Sequence, residues 1–398
     1  MSRWFIYLKP DSQEKIKKLS KLNLKNLPGY SKNELIQYYN QFQKYYDDSI
    51  NISINTVNKS LEKSKYKYIG NENAIKDQKL NYQTHYKYKN QEIIFYHKLN
   101  EHSYEDLLLN RIKTLLNFYN YDNKTEISII TNDKNRKLNK KKSNNIKSDL
   151  QIMKEKSIAN ISSGVTTSNG LLIISRIEEL PKLLVHELIH LIGLDGNIFD
   201  PKSHHIRDSV NKISEYYNNH FCVNKLIRSV AIESYTESLS NILNCMFFAI
   251  EIPNGNFQIF VETFELERQY SIYQTAKLLY FFGFNTFDDF FVNCKNTINS
   301  EKRVFITDTL YLDYTIIRSI MFYSFDDIIK IMNISKNKFN ISNSSPNFYD
   351  KLLKIIDKTL YQNEDYKNIL NNYLSDMNNV NDLDIGYTCI DIDVSKLK

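Results

Sequence analysis

Of the eight histidines in this 398-residue chain, two stand four apart with a glutamate between them, in His186-Glu187-Leu188-Ile189-His190. On an α-helix that spacing puts both imidazoles on one face, one turn apart, where they can grip a single ion. Glu187 sits one residue on from His186; in this arrangement it is not a ligand but can take a proton from water held by the metal. The expected cofactor is one catalytic Zn²⁺, which takes three protein ligands and keeps one position open.

The flanking residues place the motif on a helix. Pro181 suits a first helical turn and Gly193 suits the end, giving a zinc helix over 181–192. Its other residues, Leu183, Leu184, Val185, Leu188, Ile189, Leu191 and Ile192, are apolar nearly all round, the mark of a buried helix. Two histidines and a glutamate are costly there without partners, and a metal supplies one.

The third ligand can be sought in the same segment or beyond it. In the pattern His-Glu-x-x-His-x-x-Gly-x-x-His/Asp, Gly193 fits, but the ligand position falls on Gly196 and Asp195 misses it by one residue. Further on, Glu233 and Glu237 lie four apart among the apolar residues Val230, Ile232, Leu239 and Ile242 of a second helical stretch. Glu233 is the candidate third ligand. Glu237, one turn on, can accept the outer N–H of a ligating histidine and hold its tautomer.

These residues resemble the gluzincins, zinc peptidases whose third ligand is a glutamate on a second helix, usually the first Glu of such a helical motif. The run from Gly164-Val165-Thr166-Thr167-Ser168 through Ile174 into the zinc helix is also similar to zinc metalloproteinase-like proteins of giant DNA viruses. The resemblance covers about 160–240. The clostridial neurotoxin light chains share the string His-Glu-Leu-Ile-His and little else.

The resemblance implies a zinc metallopeptidase acting on a polypeptide, with Glu187 as general base to a zinc-activated water. A strand at 170–175 would be the edge to which an extended peptide adds. The oxyanion of the transition state also needs a donor besides zinc. No histidine follows His220, so a Tyr or Arg beyond Glu233 must serve: Tyr314 is the candidate, with Tyr311, Arg318 and Tyr323 as alternatives. His204 and His205 are spare and read better as a polar helix start. The competing function is a structural or virion-associated protein that keeps zinc only for stability. Glu187 opposes it, since a structural site needs no base and closes with a fourth protein ligand.

The elements that must position these groups read as α+β. Helical patterns at 13–19 and 32–46 precede a Lys/Asn/Tyr-rich stretch, 51–90, that has no periodicity and reads as loop. A strand at 92–96, a helix at 104–118, and strands at 126–130 and 170–175 follow. From Pro181 onward the pattern is helical: 181–192, 204–219, 223–249, 258–282, 285–297, 309–322, 325–334, 347–361 and 364–375. This divides the chain into an N-terminal helical and loop region, 1–90, a β-containing catalytic subdomain, 91–200, and an all-helical subdomain, 201–398. A small mixed sheet with its edge strand near 170–175 thus packs on a mainly helical, zincin-like half.

Composition supports a folded chain, 42% hydrophobic with 29 Tyr and 22 Phe against 1 Trp. The net charge of +6 is concentrated in runs such as 135–142, with no aromatic stripe beside them, so no specific nucleic acid is expected as partner. Cys222, Cys245, Cys294 and Cys389 form no Cys-x-x-Cys pair and read as reduced thiols. No run reaches the ~18 apolar residues of a membrane span, and the five apolar residues at 4–8 are too few for a signal-peptide core. The expectation is an intracellular protein, working in the cytoplasm or packaged into a virion.

Overall fold

The computed structural model describes residues 2–22, 27–60, 80, 82–97, 104–130, 164–167, 170–174, 179–196, 204–223, 231–292, 312–332, 334, 338–341, 347–377 and 385–397. The basic run at 135–142, Cys294 and Tyr311 lie outside them.

Six strands form one mixed sheet: β1 (Asn55–Ser60), β2 (Tyr82–Tyr88), β3 (Gln91–His97), β4 (Thr125–Ile130), β5 (Gly164–Thr166) and β6 (Leu171–Ile174), in spatial order β1-β2-β3-β4-β6-β5. β2 and β3 make an antiparallel hairpin across Lys89-Asn90, with Lys89 at φ 49° as a two-residue turn requires. β3, β4 and β6 run parallel, and β5 pairs antiparallel with β6. The β-branched runs of β3 and β4 are buried on both faces, as parallel strands at the middle of a sheet must be.

The helices are α1 (Pro10–Ser20), α2 (Asn33–Ile50), α3 (Glu105–Phe118), α4 (Leu180–Ile192), α5 (His204–His220), α6 (Ala231–Glu251), α7 (Phe257–Phe281), α8 (Phe287–Phe291), α9 (Arg318–Tyr323), α10 (Phe325–Met332), α11 (Phe348–Tyr361) and α12 (Glu364–Asp376). A π-helical turn, Leu312–Ile317, leads into α9. Several starts are set by side-chain caps: Asn256 accepts from Ile259 N–H, and Asn363 from the N–H groups of Asp365 and Tyr366. Thr286 and Asp289 cap α8 reciprocally. α4 contacts β5 and β6 on one side and α6 on the other, so the helix that carries His186 and His190 is sandwiched between sheet and helices. The fold is α+β, as its pattern of elements implies. No helix among the described residues is long and apolar enough to cross a membrane.

Three features differ from the sequence reading. The stretch 51–90 holds β1 and β2, whose Lys, Asn and Tyr residues conceal a strand that exists through pairing with β3. A division at residue 90 therefore falls inside a hairpin, and one cluster of buried residues runs from Trp4 to Ile392 across all three proposed segments. The strand at 170–175 is not the edge: β6 lies between β4 and β5, and the three-residue β5 ends the sheet. The turn that allows this is closed by Gly170 at φ 82°. Third, Cys245 and Cys389 are free and buried, but Cys222 is disulfide-bonded. Chain spacing does not show which sulfurs meet in space.

Candidate metal centre

Helix α4 is fixed at both ends. Before it, Glu179 takes a left-handed conformation, φ 56°, and its buried carboxylate accepts from the N–H groups of Tyr387 and Thr388 at 2.9 and 3.1 Å. After it, Gly193 takes φ 77°, the conformation a glycine supplies without strain, and the N–H groups of Gly193 and Leu194 close on Ile189 O at 3.0 Å each. That reversal brings Asp195 back beneath the helix, where its carboxylate oxygen lies 2.6 Å from His190 Nδ1.

α6 delivers two glutamates to the same place. Glu237 Oε2 is 3.0 Å from His186 Nδ1. Glu233 Oε2 is 3.4 Å from His186 Nε2 and 3.5 Å from His190 Nε2, and the two Nε2 atoms are 3.2 Å apart. A tetrahedral zinc with ligand bonds of about 2.0–2.1 Å requires neighbouring donor atoms about 3.3–3.4 Å apart. The triangle thus has the size of one face of a zinc tetrahedron.

The hydrogen-bond pattern points the same way. With Nδ1–H of each histidine directed to a carboxylate, Glu237 or Asp195, both Nε2 atoms turn lone pairs to the centre. Glu233 Oε2 joins them, buried and without a hydrogen-bond donor of its own. Three acceptors facing one another call for a cation. In the metal-free protein protonated imidazoles would supply that charge instead: against the effect of burial, His190 and His186 hold the Glu233 carboxyl well below its usual range. Among the described residues His186, His190 and Glu233 are the one group of this kind. The donor set, two imidazoles and a carboxylate, suits zinc.

Glu187 leaves the triangle on the sheet side. Its carboxylate accepts from Thr166 Oγ1 at 2.7 Å, and the same hydroxyl is 3.0 Å from the Glu187 carbonyl oxygen. Gly164 lies against the carboxylate so closely that a Cβ there would overlap it. Burial pushes the Glu187 pKa up, against the pull of His186 and His190. Both Gly164 and Thr166 belong to β5, so the end strand of the sheet and the glutamate are in direct contact.

Of the four candidates for a further donor, Tyr314 stands at the centre. It projects from the π-helical turn with its ring centroid 5.9 Å from that of His186, edge to face. Burial, followed by the charges of Glu233, Glu187 and Glu237, raises its pKa well above the ordinary value, so the phenol keeps its proton at neutral pH. Arg318 does not face the opening. It is fully buried behind Glu237, to which Nη1 donates at 2.9 Å. Tyr323 is turned away as well, its hydroxyl donating to Asn363 Oδ1 at 3.0 Å.

The sequence reading missed Asp195 as a partner of His190, and missed Gly164 and Thr166 beside Glu187. Asp195 carried a signal: a carboxylate two residues past a helix-ending glycine is returned to the last turn by the left-handed conformation.

Fold and site together define an α+β protein in which two histidines of the buried helix α4 and a glutamate of α6 form a cluster that could hold a metal ion. The chain is 24% identical over 304 residues to an uncharacterised protein of Acanthamoeba polyphaga mimivirus, a span of 74% of this chain and 70% of that protein. No family profile matches it, and no solved structure does.

Proposed function

We propose that this chain is a zinc-dependent metallopeptidase. The observation that carries the reading is the convergence of His186 Nε2, His190 Nε2 and Glu233 Oε2 in a triangle 3.2–3.5 Å on edge, beside the buried carboxylate of Glu187. A zinc ion bound there lowers the pKa of a water toward ~7 and polarises a carbonyl.

The chain's own groups divide the remaining work. Glu187 accepts a proton from the attacking water and returns it to the leaving amine. Thr166 holds one carboxylate oxygen, which leaves the other for the proton. Tyr314 keeps its phenolic proton and can donate to the oxygen that gains charge. β5 ends the sheet next to Glu187, so an extended substrate adding there as a strand would bring its carbonyl to the base. This moves the substrate edge from β6 to β5.

A purely structural zinc site is less favoured. A structural site closes with a fourth protein ligand, whereas three protein donors meet here among the described residues.

The test joins metal analysis with cleavage of a peptide library by wild type and Glu187→Gln. Stoichiometric zinc in both, with cleavage only by the wild type, is the expected result. Zinc in both with cleavage by neither would return the structural reading, and equal cleavage by both would remove Glu187 from the chemistry.

A further inference from the structure

Glu237 has no freedom to turn. Its Oε2 faces His186 Nδ1 at 3.0 Å, while Oε1 accepts from Lys182 Nζ and from Arg318 Nη1, the latter at 2.9 Å. Lys182 is 2% exposed and Arg318 fully buried. Two buried cations on one carboxylate oxygen are an expensive arrangement for the fold alone, because the cost of removing ions from water commonly exceeds what their pairing returns. Arg318 Nη2, moreover, is buried without an acceptor. An apolar side chain would fill the space at less cost, so the charge needs another reason.

Both cations meet one residue of the C-terminal segment. The carbonyl oxygen of Tyr387 accepts from Arg318 Nη1 at 2.6 Å, and its ring lies 5.2 Å from Lys182 Nζ. Tyr387 is itself held by its N–H, which donates to Glu179 Oε1 at the start of α4. The strap continues with Cys389 and Ile390 N–H donating to Glu267 Oε1 of α7 at 2.8 and 3.0 Å, and Asn244 of α6 donating to Ile390 O at 2.7 Å. A strap at the far end of the chain is thus tied to the zinc helix and to both long helices behind it.

We propose that Arg318 and Tyr387 are positioning residues of the metal centre, and that the C-terminal strap fixes the direction of His186 Nε2 through Arg318 and Glu237. This rests on the zinc reading above. A carboxylate bound through one oxygen can rotate and let the imidazole swing. Clamping Oε1 from two sides fixes Oε2, hence the ring plane of His186 and the aim of its lone pair. Metal affinity therefore depends on residues that touch neither the ion nor its ligands.

The test titrates zinc alone into metal-free protein, in competition with a chromophoric chelator, starting with wild type. Arg318→Met should weaken binding about 10- to 100-fold, the range for partners that orient a metal ligand, and Tyr387→Leu, which keeps the main-chain carbonyl and removes the ring beside Lys182, should weaken it less. Tyr387→Phe keeps the ring and the carbonyl and should bind as wild type does. Arg318 Nε also donates to Ser271 Oγ at 3.2 Å, so Ser271→Ala loosens the guanidinium without removing charge and should weaken binding about tenfold, at the low end of that range. It decides the matter if the larger changes do not fold. A merely structural role would lower the urea midpoint of the metal-free protein and leave zinc affinity of the folded form unchanged, so affinity is the deciding readout. Wild-type affinity in the folded variants overturns the proposal. A wild type that takes up no zinc overturns the zinc reading and this inference with it, which the first titration reveals separately.

Discussion

At the scale of the residue, the two imidazoles of the candidate site are not held alike. His186 leans on a glutamate already engaged by two cations, whereas the oxygen facing His190 Nδ1 belongs to Asp195, from the helix's own reversal. Asp195→Asn removes the charge and keeps the shape. It should lower zinc affinity by about 10- to 100-fold, read by chelator competition. Unchanged affinity would mean that the turn, not the carboxylate, orients His190. Gly164→Ala makes the complementary prediction on the proton side. The methyl group must displace the Glu187 carboxylate from Thr166, so zinc should stay bound while kcat for peptide cleavage falls by about 10². A loss of zinc instead of turnover would show that β5 supports the ligands rather than the base. The place of Glu187 on one helix with His186 and His190 was readable from spacing, because a helix brings residues four apart onto one face. Its contacts were not, since Gly164 and Thr166 reach it through a strand of three residues that no period can reveal.

At the scale of the element, α4 was legible because an apolar run with Pro181 and Gly193 as punctuation gives clear bounds, and the structure places it at Leu180–Ile192, whereas α6, with no such punctuation before it, was read from 223 and is described from Ala231. β1 and β2 were not legible, since pairing rather than patterning makes them strands. Nor was the strap, because its partners are backbone N–H groups, which every residue has. Gly193 allows a direct test of how the helix end serves the site. With φ 77°, Gly193→Ala should cost about 1–2 kcal/mol in urea unfolding and weaken zinc binding as Asp195 shifts. Full affinity in the destabilised protein would separate the turn from the metal. A second element can be followed optically. The chain's one tryptophan, Trp4, donates from Nε1 to Glu262 Oε2 of α7 at 2.7 Å, and that bond holds the Glu262 carboxyl below its usual range. A depressed folded pKa means that this contribution to stability is present above the unfolded value and is lost as pH falls through the folded one. Trp4 emission should therefore stay constant from neutral pH through the ordinary glutamate range and change only below it. A midpoint at the ordinary value would show that the N-terminal segment is not held through Glu262.

At the scale of the whole molecule, the question is whether the sheet and the helical half unfold as one. The proposed metal ligands come from α4, which lies against the sheet, and α6, which lies in the helical half, and the buried cluster that includes both runs from Trp4 to Ile392. The strap strengthens the link, since Lys9 N–H donates to Asp391 O at 2.9 Å and Asp393 N–H to Tyr7 O at 2.8 Å, joining the two ends of the chain. If the proposed ion is held between α4 and α6, it binds only the folded state and stabilises it by mass action, about 4 kcal/mol at a free concentration a thousandfold above Kd. Chelation should therefore lower the thermal midpoint, and it should do so equally for Trp4 emission, which reports the N-terminal segment, and far-UV circular dichroism, which reports the helices. Were the three segments independent, chelation would shift the dichroism and leave Trp4 in place. Coincident shifts are what one core crossing the chain requires.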